Sequence, residues 1–186
     1  TVGDIGDRKS FRNKNVLVYE WNQKSAANDV GNGAFDGIKF DSKFESGNLA
    51  TAHKVPHSLS DPRTNRHKLF HQEYNLHVRN DLHTRGNTQW FFFSVEGSNI
   101  RKGMKVRFNI INMRKADSIC NYGMRPCVYS TTEYCRNGRG WLQDGSDVCY
   151  YKGTTQYNDQ KGKRKFHYVL SFVYEFQHAN DKVFFA

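Results

Sequence analysis

No apolar run approaches the ~18 residues of a membrane-spanning helix. No stretch joins a basic start, an apolar centre and a small-residue cleavage site, so neither membrane insertion nor export is indicated. Asn-x-Ser/Thr acceptors are missing as well. Cysteine is scarce. Cys120, Cys127, Cys135 and Cys149 are too few in 186 residues for a disulfide scaffold, and none forms the close pair of a structural zinc site. Free, partly buried thiols in a reducing, cytosolic compartment are expected. Acidic residues are outnumbered, 18 against 28 Lys and Arg, which leaves a formal charge of +10. Such a chain attracts acidic protein, nucleic acid or an anionic surface without choosing among them.

Hydrophobic residues reach only 37%, yet 14 Phe, 10 Tyr and 3 Trp are present, a composition suited to pleated, half-buried surfaces. Residues 1–14 are polar and read as frayed, and 15–186 as one domain. Asn22–Gly37 and His57–Arg66 have loop composition. Strands are expected at Val16–Tyr19, Ile38–Phe44 and Asn48–Val55. Tyr74, Leu76 and Val78 alternate with Asn75, His77 and Arg79, the period of a strand with one wet face, which would place His77 in solvent. Gln89-Trp90-Phe91-Phe92-Phe93 is apolar on both sides and reads as a central, doubly covered strand. Met104, Val106, Phe108 and Ile110 alternate with Lys105, Arg107 and Asn109. Phe166, Tyr168, Leu170, Phe172, Tyr174 and Phe176 define a long strand with six residues towards a core. No stretch carries a helical stripe, and there is no internal repeat. The fold expected is all-β: an antiparallel β-sandwich of about nine strands with little helix, a barrel being the alternative. The apolar close, Lys182–Ala186, reads as a cut at a domain edge.

Catalytic motifs are wanting. His53, His57, His67, His71, His77 and His83 crowd one stretch, but none begins His-Glu-x-x-His or His-x-x-Glu; His71-Gln72-Glu73 is one residue short. Gly162-Lys163-Arg164 fails as a phosphate loop, Gly138-Arg139-Gly140 fails as a dinucleotide fingerprint, and Gly-x-Ser-x-Gly does not occur. Neither a catalytic residue nor a metal ligand is therefore assigned. Basic residues cluster at Arg101, Lys102, Lys105 and Arg107, at Arg114 and Lys115, and at Lys161, Lys163, Arg164 and Lys165. Aromatics that could stack on bases alternate as core residues do, which disfavours nucleic acid.

Several strings are distinctive in order. Phe40 to Leu49 (FDSKFESGNL), Asp81 with Gln89–Phe93, and Arg107–Asn112 come first. Lys115, Asn121–Pro126 (NYGMRP), Tyr129-Ser130, Trp141, Gly145, Tyr150-Tyr151 and Phe184-Phe185-Ala186 follow. Together they resemble the N-terminal domain of the cytosolic carboxypeptidases, zinc enzymes often called tubulin deglutamylases. Cys120 and Asn121, where Leu is expected, and the Cys135–Gly140 segment depart from the pattern.

The resemblance implies a β-sandwich packed on a separate catalytic domain. That domain holds Zn2+ through His-x-x-Glu and a distant His, and removes C-terminal or side-chain glutamates from proteins such as tubulin. None of those catalytic residues maps onto this sequence, so no cofactor is expected in the chain itself. The partners implied are the catalytic domain and an acidic protein substrate such as glutamylated tubulin, in the cytoplasm, with no membrane. Phe44, Glu45 and Asn48 of the first turn are candidates for contacting that domain or lining its substrate funnel. So are Asn112, Arg114, Lys115, Asn121, Tyr122, Gly123 and Met124. A free-standing basic module for acidic protein or nucleic acid is the competing expectation.

Overall fold

A computed structural model describes residues 15–22, 37–56, 70–84 and 86–186. The expectations for residues 1–14, for the loop between Asn22 and Gly37, for His57–Arg66 and for His67 fall outside those residues.

Tyr74, Leu76 and Val78 are buried while Glu73, Asn75 and His77 are half-exposed, so β4 (Gln72–Val78) has the one-sided burial its alternation predicts. β6 (Lys105–Met113) and β10 (Arg164–Glu175) likewise turn Val106, Phe108 and Ile110 and Leu170, Phe172 and Tyr174 into the core, although Asn109 of β6 is buried on the opposite face. With β1 (Val16–Glu20), β3 (Leu49–Lys54) and β9 (Ser146–Asn158) they form a six-stranded sheet in the order β1-β3-β4-β6-β10-β9. A second sheet runs β2-β5-β11-β7-β8, built from β2 (Lys39–Asp41), β5 (Phe93–Glu96), β7 (Cys127–Ser130), β8 (Leu142–Gln143) and β11 (Lys182–Phe185). Adjacent strands are antiparallel except β4 and β6, which run parallel. A 3-10 turn (Ile119–Tyr122) and a seven-residue helix, α1 (Thr131–Asn137), are the helical pieces among the described residues. The all-β sandwich expected from the sequence is what is found, with eleven strands among the described residues in place of about nine.

The core lies between the sheets and is aromatic. Phe108 is fully buried, with the rings of Phe40, Tyr74, Phe93, Phe172 and Phe185 centred 5.2–6.3 Å away. Mixed edge-to-face and tilted pairs are the arrangement that ring quadrupoles favour.

Three expectations change. Gln89–Phe93 is not one strand: β5 begins only at Phe93, and the residues before it lead into the sheet with Trp90 exposed. That apolar run divides its side chains among different destinations. Phe91 and Phe93 enter the core, whereas Phe92 is half-exposed. In β10, Leu170, Phe172 and Tyr174, then Phe176, reach the core as expected, but Phe166 and Tyr168 stay half-exposed and Val169, Ser171 and Val173 are buried on the other side. β9, thirteen residues long, has no counterpart in the sequence reading.

Candidate functional site

The turn after β2 is held by close packing. The Gly47 N–H donates to the Phe44 carbonyl at 3.0 Å, and a Cβ on Gly47 would fall 2.2 Å from the Ser42 carbonyl oxygen, so only glycine fits. Asn48 follows, buried, as a fastener. Its amide Nδ2 donates to the Trp90 carbonyl (3.1 Å) and its Oδ1 accepts from the Phe92 N–H (2.7 Å). Its own N–H donates to the Phe92 carbonyl (3.0 Å), and its carbonyl accepts from the Arg79 N–H (2.7 Å). This ties β3 of one sheet to the entrance of β5 in the other and sets Phe92 beside Phe44, ring centres 5.0 Å apart.

From that pair an aromatic belt crosses the outer side of the five-stranded sheet. Val128, Phe93, Val183 and Phe185 point into the core, so Tyr129, Phe92 and Phe184, each one residue away in the pleat, point outward. Phe184 lies 5.5 Å from Phe44 and 6.2 Å from Phe92. Trp141 is 5.8 Å from Phe92, Tyr129 is 5.5 Å from Trp141, and Tyr134 of α1 is 5.5 Å from Tyr129. Trp141 and Tyr134 are each 51% exposed. Of these six rings only Phe44 was a candidate contact residue from the sequence; Phe92, Tyr129, Trp141 and Phe184 entered only as parts of the family resemblance, and Tyr134 not at all. The signal was present in Phe91-Phe92-Phe93 and Phe184-Phe185, because consecutive aromatics in an extended chain must face opposite ways.

Asn121, Tyr122, Gly123 and Met124 sit at the other edge of that sheet. Ser118 Oγ accepts from the Cys120 N–H, and Gly123 closes the 3-10 turn at φ 96°, a left-handed conformation that favours glycine. Gln143 of β8 donates to the Met124 sulfur at 3.1 Å, and Tyr122 is 79% exposed. Phe44, with the exposed Glu45, and Met124 thus mark opposite margins of one aromatic face. Asn112 lies elsewhere. Its Oδ1 accepts from the Val78 N–H (3.0 Å) and its Nδ2 donates to the Val78 carbonyl (2.8 Å), extending the parallel β4–β6 seam.

Arg114 and Lys115 belong to a separate, basic surface. β10 pairs with β9 from Arg164 onward but with β6 only from Tyr168, so the β9–β10 hairpin end projects past the sheet as a two-stranded finger. Between the finger, the 86–89 segment, Arg114 and Lys115 runs a trough of about 660 Å3 that also takes in Tyr157, Lys161 and Lys165. It adjoins a second of about 420 Å3 lined by Lys152, Lys163, Arg164 and Phe166. Its one lining carboxylate, Asp159, accepts from the Lys163 and Lys161 N–H groups at 2.9 Å and pairs with Lys165 Nζ at 3.2 Å. The N–H of Lys163, together with the Lys165 ammonium, holds its pKa below the ordinary carboxylate range. Two basic clusters, far apart in sequence, have become one.

His77 is not the solvated residue its strand face suggested. It is half-buried, with Thr51 Oγ1 3.5 Å from its Nδ1 and the His53 ring 6.1 Å away. Burial, reinforced by His53 and His167, lowers its pKa below 6.5; burial and Arg114 do the same to His167. A histidine kept neutral by folding takes up its proton more readily when unfolded, so stability is full above about pH 6.5 and declines as pH falls towards the lowered folded value. Thermal melts between pH 7.5 and 5 should show that decline, and His77→Gln should make it shallower, His167 supplying the remainder.

Among the described residues, no three His, Cys, Asp or Glu side chains are grouped to hold a metal ion. Nor is any described helix long and apolar enough to cross a membrane. A family model described as the cytosolic carboxypeptidase N-terminal domain matches residues 40–186. The chain is 38% identical over 176 residues to cytosolic carboxypeptidase 1 of Danio rerio, covering 91% of this chain and 13% of that protein. Cytosolic carboxypeptidase 2 of Xenopus tropicalis is 38% identical over 149 residues, 80% of this chain and 13% of that one. For cytosolic carboxypeptidase 1 of Homo sapiens the values are 38% over 156 residues, 81% and 11%. The chain thus spans about an eighth of the length of these curated relatives.

Proposed function

The chain belongs to the cytosolic carboxypeptidase N-terminal domain family, and from that premise we propose that it is a non-catalytic accessory domain of a zinc carboxypeptidase, docked on the catalytic part through its aromatic belt. The belt is the observation that carries this reading. An antiparallel sheet with one face on the core ordinarily turns polar residues outward. Here Phe44, Phe92, Phe184, Tyr129, Trp141 and Tyr134 line the outer face, Trp141 and Tyr134 exposed and the other four half-exposed, and contiguous rings of this kind are what interfaces are built around. The relatives are about eight times longer than the part matched here, and their remaining polypeptide supplies an occupant.

In this reading the parent enzyme removes C-terminal or side-chain glutamates from proteins such as tubulin, in the cytoplasm. Zinc, as the Lewis acid of that hydrolysis, and its ligands belong to the part of the relatives that this chain does not cover. Phe44, Glu45, Asn48 and Asn121–Met124 border the docked face, with Asn48 and Asn112 bracing the frame behind it. Arg114, Lys115 and the finger stay outside the belt, where a +10 domain raises the local concentration of acidic substrate. That guidance fades with salt, since exposed charges are screened beyond roughly 8–10 Å at physiological ionic strength.

The test compares two settings. Trp141→Ala and Phe184→Ala placed in a full-length relative should each lower the melting temperature of the assembled enzyme, consistent with an interface anchor of about 2 kcal/mol. In the 186-residue chain alone the same changes should do far less. Equal losses in both settings would mean that the belt serves only its own sheet. The finger favours a second reading, a free-standing module for acidic protein. Coding sequence continuing past Ala186 into a His-x-x-Glu would decide against it.

A further inference from the structure

We propose that the finger and the trough beneath it form a discrete binding site for an extended acidic polypeptide segment, separate from the belt. The site deepens the guidance reading and rests on it only for where the bound segment is delivered. About four residues of β10, 164–167, project with β9 alone, roughly 13 Å of free ribbon. The ribbon presents Lys152, Lys161, Lys163, Arg164 and Lys165, and Arg114 and Lys115 face it from the end of β6. Among the described residues, one carboxylate, Asp159, lies among seven cations, and Lys165 and main-chain N–H groups already engage it. The trough therefore has a large unpaired positive charge. Two adjoining cavities of about 660 and 420 Å3 share Arg114, Tyr157 and Lys165 in their linings, so the basic surface runs on from one to the other instead of ending in a single pocket.

The aromatic rings decide between the two polyanions that such charge could hold. A site for single-stranded nucleic acid pairs its basic track with free aromatic faces on which bases stack. Here the lining rings have partners already: Tyr168, which borders the second cavity, is stacked on Tyr150 at 5.8 Å. The Arg114 guanidinium lies over Tyr157 at 4.5 Å and the Lys152 ammonium over Phe166 at 3.9 Å. Each ring holds a cation in place by its own quadrupole and leaves that cation's outer side for a carboxylate. Gly86 completes the geometry. A Cβ there would meet the Arg114 guanidinium at 2.6 Å, so the glycine lets the arginine lie flat. Ordered cations without stacking platforms suit carboxylate side chains spaced along an extended peptide.

Fluorescence anisotropy of the 186-residue chain with a labelled hexaglutamate peptide tests this. Wild type should bind with an affinity that drops steeply between 50 and 200 mM salt. Lys163→Glu with Arg164→Glu should weaken binding at least tenfold without moving the melting temperature, since both residues are exposed. Lys39→Glu with Arg101→Glu, the same charge change at exposed positions away from the finger, should leave binding within about twofold. Equal weakening by both pairs would show diffuse attraction and overturn the site. So would tighter binding of a twelve-nucleotide oligothymidine than of the peptide at the same salt. Failure here leaves the docked belt standing, and failure of docking leaves this binding untouched.

Discussion

Replacing Phe108 with alanine is expected to remove about 3–5 kcal/mol of stability, the range for an aromatic side chain lost from a packed interior. Two contributions add. The apolar surface of the ring is no longer withdrawn from water, and five rings, from Phe40, Tyr74, Phe93, Phe172 and Phe185, lose the partner against which they are set. Strands from both sheets converge on this side chain, so the cavity cannot close by moving one element. Domains of this size hold only about 5–15 kcal/mol in total, so the variant should unfold at a much lower urea concentration. Phe108→Leu refills part of the space and should fall between the two. A midpoint for Phe108→Ala within error of wild type would mean that the sheets do not meet over this residue.

Asn48→Ala should have the next largest effect, about 2–5 kcal/mol. The asparagine side chain satisfies the Phe92 N–H and the Trp90 carbonyl, and alanine leaves both main-chain groups without that partner, at about 1–3 kcal/mol each. The consequence is also positional. Phe92 is held beside Phe44 through Asn48, so near-ultraviolet circular dichroism of the belt should change along with the denaturation midpoint. Asn48→Asp keeps an acceptor for Phe92 and loses the donor to Trp90, and should lie between alanine and wild type. Should alanine be tolerated with no change in either signal, the turn owes its shape to Gly47 alone.

What could be read from the residues depended on whether one face of a strand is dry. Tyr74, Leu76 and Val78, and likewise Leu170, Phe172 and Tyr174, alternate because one side packs on the core, and those strands were legible. β9 was not. Its finger half is exposed on both faces, and its register against β10 shifts between Phe166 and Tyr168 and again between Ser171 and Val173, so no period survives in Thr154, Thr155 and Gln156. Gln89–Phe93 misled for the opposite reason: uniform hydrophobicity concealed three roles, an exposed indole, core rings and a belt ring. Asn48 and Asn112 stood out only as polar residues beside strands; that both serve as main-chain fasteners depends on partners 30 or more residues away, which no local pattern encodes. The joining of Arg114 and Lys115 with the Lys161–Lys165 cluster is likewise a product of strand order.

The placement of β11 sets a timetable. It lies between β5 and β7, so without this four-residue strand the smaller sheet would be two separate halves, β2-β5 and β7-β8. During synthesis the larger sheet has all six of its strands in hand while the smaller one still lacks its keystone. A nascent chain halted before Lys182 would carry half-built β-edges and bared phenylalanines at the ribosome exit, the state in which holdase chaperones and misassembly compete for it.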